Sequence, residues 1–209
     1  STLRRWLEHT MAVIRKMALF ALIGLAAIAG ALAYRHIRAV ADQADTLALT
    51  RAGRSIHLAL FDMGMVGVEE SRRRERFARA SSADYENSTD YFRDMVTSGF
   101  LNVNFSFFAG KGVLANASTN PPDFSANNNA WCVVADIDSI TNGDTPIIFT
   151  RNVELKRMGS ETHPIITPAM PFGTSRYFYI TKSGSAHLAQ GHTMQNWYTG
   201  DASNKILRP

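Results

Sequence analysis

Apolar residues recur at steps of three and four from Leu3 to Met63, the period of one helical face. The pattern changes character twice along the way. Over 1–16 the apolar positions are Leu3, Leu7, Met11 and Ile14, with Trp6 beside them, and Arg4, Arg5, Glu8, Arg15 and Lys16 occupy the rest of the wheel. This predicts a basic amphipathic helix, either lying in the membrane interface or solvated on the cytoplasmic side. From Met17 to Tyr34 the polar positions vanish and 18 residues pass without a charge, enough to cross a hydrocarbon core of ~30 Å as a helix. Over 35–68 the amphipathic period returns, with Ile37, Ala41, Ala44, Leu47, Ala48, Ala52, Ile56, Ala59, Leu60 and Met63 in the stripe and Arg38, Asp42, Asp45, Arg51 and Arg54 elsewhere. A helix from Met17 to Met63 would be about 70 Å long, half in lipid and half supporting an exported domain. A cleavable leader is the competing reading of the apolar run. Its apolar region is usually shorter and ends in a cleavage site, whereas this helical pattern continues, which favours an anchor.

The segment 69–101 opens on charges of both signs, Glu69, Glu70, Arg72, Arg73, Arg74, Glu75, Arg76, Arg79 and Asp84. Such spacing usually marks a solvated face; an arginine cluster also suits carboxylates on a neighbouring copy. Asn87 or Ser88 can then cap a second helix that buries Tyr91, Phe92, Met95 and Val96 and closes near Gly99. From 102 to 209 the period becomes that of strands and loops. NVNFSFFAG fits a short strand, and LANASTNPPDFSANNNA is a long polar loop. WCVVADI and DTPIIFTRNV are buried strands separated by the turn Ser139 to Gly143, and a proline-containing loop runs from Glu161 to Pro171. Arg176 to Thr181 and Ser185 to Ala189 form a hairpin across Lys182-Ser183-Gly184, and the tail is expected to pack through Trp197 and Tyr198. The expected fold class is α+β, a long helix packed against a small antiparallel sheet.

Charge adds an orientation. Of the formal net charge of +4, most sits before the apolar run, on Arg4, Arg5, Arg15 and Lys16 against Glu8. The positive-inside rule then places the N-terminus in the cytoplasm and the C-terminal domain across the membrane, with Arg35 and Arg38 weakening the bias without reversing it. Because the rest of the chain is near neutral, no nucleic-acid partner is expected. The lone Cys132 excludes an intrachain disulfide and is expected to be packed in a strand.

Within the apolar run, small residues form stripes. Ala26 and Gly30 stand four apart, as do Ala27 and Ala31, with Gly24 one turn earlier. Such stripes let another helix approach closely, so membrane lipid and either self-association or other single-pass subunits are the expected partners.

The residues also carry a resemblance. FALIGL, Phe20 to Leu25, looks like the FTLIEL that opens a mature pilin helix. TRAGRSIHLALFDMG (Thr50 to Gly64), NSTDYFRDMVTSGF (Asn87 to Phe100), NNNAWCVVADIDSITNGDTPIIFTRNV (Asn127 to Val153) and SRYFYITKSGSAHLA are similar to successive parts of pseudopilin-like proteins of the Verrucomicrobia and Planctomycetes type. The chain thus resembles type IV pilins and type II secretion pseudopilins from Phe20 onward. The resemblance implies a pilin-like fold, a bacterial inner membrane location with a periplasmic or extracellular C-terminal domain, and a non-enzymatic structural role in a complex or filament. A minor or scaffold subunit of a secretion or pilus machine, binding exported substrate, is the alternative. Two positions depart from the family. Leu19 stands where the processing peptidase needs glycine, and Gly24 stands where the intramembrane Glu belongs. The basic N-terminal segment is therefore expected to be retained.

Candidate chemistry is sparse. Asp136, Asp138, Asn142 and Asp144 crowd one turn and could offer oxygens to calcium, although their spacing departs from the EF-hand loop. Major pseudopilins bind calcium in a C-terminal loop, so the resemblance carries the same idea; turn-forming Asx residues are the plainer reading. His163, His187 and His192 fall in or beside loops with no nucleophile partner in the pattern, and no small-molecule substrate or other cofactor is evident. Asn87, Asn104 and Asn116 open glycosylation acceptor triplets of a kind that often arises by chance.

Overall fold

The computed structural model describes residues 2–61, 80–137, 141–154, 165–190 and 205–209, with backbone only at 2–10, 12, 13 and 61. The fold is α+β, one long N-terminal helix and an antiparallel sheet. Helix α1 spans Thr2–Phe61. The chain divides into two compact units, Ser1–Thr46 and Leu47–Pro209.

The first unit is helix throughout its described length. Its apolar side chains stay outside. Phe20, Leu22, Leu25, Ile28 and Leu32 are all exposed, as they would be in a helix whose surroundings are not water. This stretch is long and apolar enough to cross a membrane.

In the second unit the end of α1 packs on a five-stranded sheet. The strands are β1 (Trp131–Val134), β2 (Pro146–Thr150), β3 (Val153–Glu154), β4 (Ile165–Ile166), β5 (Arg176–Thr181), β6 (Ala186–Gln190) and β7 (Ile206–Leu207). The main sheet runs β6-β5-β2-β1-β7, all antiparallel, and β3 and β4 pair separately. Leu49, Ala52, Ile56 and Leu60, at steps of three and four, form the buried stripe of α1. Gly53 lies in the same stripe, and a Cβ there would stand 2.7 Å from Ile180 Cδ1, 3.0 Å from Phe178 Cε1 and 3.1 Å from Trp131 Cη2. Only a glycine permits this approach of helix backbone to sheet side chains.

Helix α2 spans Ser88–Thr97, and the Asn87 side chain caps it by accepting from the Asp90 amide at 2.8 Å. Tyr91, Phe92 and Met95 are fully buried, as their spacing predicts. A buried polar network ties the start of α2 to the sheet. Ser88 Oγ donates to the Trp131 carbonyl at 2.7 Å, Asn129 Nδ2 donates to Ser88 Oγ at 3.0 Å, and the Trp131 amide donates to Asn129 Oδ1 at 2.9 Å.

Two expectations for 102–209 are corrected. NVNFSFFAG contains a 3-10 helix over Phe105–Phe108 rather than a strand. Asn104 Oδ1 accepts from the Ser106 amide at 3.2 Å and turns the backbone, and the three-residue step buries Phe105 and Phe108 together where strand alternation would separate them. Phe108 stacks on Phe92 at 4.6 Å and Phe105 on Phe124 at 4.5 Å, so this turn anchors an aromatic cluster under α2. The proline-containing loop holds a short strand, β4. The last residues of the tail form a strand that the sequence did not suggest, β7 against β1, with Val133 opposite Leu207 and Val134 opposite Ile206. Trp197 and Tyr198 lie outside the described residues, as do positions 62–79, which hold most of the charged segment.

The polar loop at 114–130 is ordered by arginine. Arg93 donates to the carbonyls of Pro121 at 3.0 Å and Phe124 at 2.7 Å, and Arg151 donates to those of Met170, Ala126 and Asn129. Each guanidinium fork satisfies several loop carbonyls at once.

Candidate functional site

The strongest candidate is the face of α1 within the first unit. Gly24, Ala26, Ala27, Gly30 and Ala31 are all exposed. At 3.6 residues per turn Gly24, Ala27 and Ala31 form one stripe, and Ala26 and Gly30 form a second about a third of a turn away. A Cβ built on Gly24 or on Gly30 meets nothing within 4 Å. The contrast with Gly53 is direct, because the space that Gly53 opens is filled by the chain's own side chains. Gly24 and Gly30 instead leave open surface, one on each stripe, where a second helix can approach the backbone closely. The apolar run is bracketed by Arg15 and Lys16 before it and by Arg35 and Arg38 after it, all exposed. The side chains of Arg4, Arg5 and Trp6, the other expected interface residues, lie outside the described ones.

The residues expected to offer oxygens to calcium are partly placed. Asp136 has a left-handed backbone, φ 58°, and its Oδ1 accepts from the Ser82 amide at 3.0 Å. Asn142 Oδ1 accepts from the Asp144 amide at 2.9 Å, an Asx turn. Lys182 Nζ donates to the Thr141 carbonyl at 2.7 Å and so brings a positive charge to the same turn. Asp138 lies outside the described residues, among which no group of three or more acidic, histidine or cysteine side chains could hold a metal ion.

The other singled-out groups have structural surroundings. Cys132 is fully buried, and burial pushes its thiol up to about 12, which suppresses the nucleophilic thiolate. His187 stacks on Tyr179 at 4.8 Å, and His163 and His192 lie outside the described residues. Asn87 and Asn104 are caps, while Asn116 donates to the Asp123 carbonyl at 2.5 Å and accepts from the Ser118 amide at 2.9 Å. Sequence reasoning missed the Ser88, Asn129 and Trp131 network; its only signal was a run of asparagines before a buried strand. Comparison with protein-family models, with curated protein sequences and with solved structures found no match.

Proposed function

We propose that this chain is a non-enzymatic, membrane-anchored structural subunit of pilin-like architecture that assembles into a larger complex or filament. The observation that carries the reading is the exposed, charge-free stretch of α1 with open glycines at 24 and 30. The anchor holds the chain in the inner membrane with its N-terminus cytoplasmic. The small-residue stripes let neighbouring helices close on one another through van der Waals contact. With Gly24 at the position where pilins carry a carboxylate, packing rests on these stripes rather than on an intramembrane ion pair. The test is the mass of the full chain in mild detergent, with Gly24→Ile and Gly30→Ile beside it. Assemblies of several copies that the substitutions dissociate support the reading, and a monodisperse monomer contradicts it.

A further inference from the structure

We infer that Arg35 and Arg38 bind the phosphate of an anionic phospholipid headgroup where the apolar run of α1 ends. This rests on the membrane-spanning part of the reading above and adds a specific ligand to it. From Lys16 to Arg35 is 19 residue steps, a rise of about 28 Å against a hydrocarbon core of ~30 Å. The run has no length to spare, so Arg35 begins at the level of the headgroups. Arg35 and Arg38 stand three apart and are neighbours on the helix surface. Both are exposed, and neither guanidinium is hydrogen-bonded or ion-paired among the described residues. Asp42, four residues past Arg38, is the first carboxylate beyond the run.

Two adjacent guanidinium forks match the oxygens of a phosphate diester. The apolar surface beside them selects a lipid over a free anion. Ile28 and Leu32 are 60% exposed and precede Arg35 by seven and three residues, so an acyl chain can lie along them while its phosphate meets the arginines. A net-anionic headgroup is favoured because a zwitterionic one carries an ammonium that offsets its phosphate.

The test reconstitutes the full chain into bilayers of mixed phosphatidylglycerol and phosphatidylcholine and counts the lipids it retains by native mass spectrometry. Wild type should retain phosphatidylglycerol preferentially, and Arg35→Gln with Arg38→Gln should lower that preference about thirtyfold. Arg51→Gln with Arg54→Gln removes as much charge from exposed positions of the same helix and should leave it unchanged. Inorganic phosphate, added at constant ionic strength, should not displace the lipid. Equal retention by wild type and the first double variant overturns the inference, as does an equal loss in the second. Displacement by inorganic phosphate would show a simple anion site and overturn the lipid assignment. A chain recovered outside every bilayer would overturn the membrane reading itself.

Discussion

A methyl group placed on Gly53 would come within 3.1 Å of Cη2 of Trp131, so α1 meets the sheet with no room for a side chain between them. Alanine would gain about 1 kcal/mol of helix propensity, but it must displace two buried aromatic rings, those of Trp131 and Phe178, and such overpacking costs roughly 1–3 kcal/mol. Gly53→Ala should therefore lower stability by about 1 kcal/mol in urea unfolding of the full chain in detergent, and Gly53→Leu by far more. A stabilised Gly53→Ala variant would contradict the close approach.

Ser88 links α2 to the sheet twice, since its hydroxyl donates to the Trp131 carbonyl and its amide donates to the Arg208 carbonyl at 2.8 Å. Ser88→Ala removes the buried donor and leaves the carbonyl of Trp131 short of a partner, at a cost of about 1–3 kcal/mol. Thr97→Ala, at the exposed end of the same helix, should change stability by less than about 0.5 kcal/mol. Unfolding curves of the two variants check the contrast.

The C-terminal strand should carry weight out of proportion to its two residues. Leu207 is fully buried opposite Val133, so Leu207→Ala should cost about 2–4 kcal/mol. A neutral result in thermal unfolding would show that β7 does not close the sheet.

Cys132 makes stability fall in alkali. Its thiol ionises near 9 when unfolded and is held up to about 12 in the fold, because burial disfavours the thiolate. The raised folded value means that its contribution is complete below pH 9 and is lost as pH rises toward 12, to a limit of about 4 kcal/mol. Burial raises the hydroxyl of Tyr91 as well, so it adds to the same slope. Cys132→Ala should flatten the pH dependence of unfolding between 9 and 12, and a slope unchanged by it would contradict the account.

Much of this fold is legible in the chain because local and tertiary demands agree there. The Asn87 cap, the buried face of α2, the β5–β6 hairpin and strand β1 all show in spacing and turn residues. The failures occur where tertiary packing overrides a short pattern. Phe105 and Phe108 read as strand until the Asn104 cap and the aromatic cluster select a 3-10 turn. Ile206 and Leu207 are too few to show a period, and their strand exists only because β1 offers an edge. The small-residue stripes are visible in the sequence itself, since Gly24, Ala27 and Ala31, and Ala26 and Gly30, recur at steps of three and four through the apolar run.

The proposed assembly is tested most directly by cross-linking from the small-residue stripe. A single cysteine at Ala27, in a chain whose buried Cys132 has been replaced by alanine, should form disulfide-linked dimers in native membranes within minutes of mild oxidation. Leu25→Cys, exposed and about a third of a turn from both stripes, should do so far more slowly. Equal rates at the two positions, or no dimer at either, would contradict packing through the small-residue stripe.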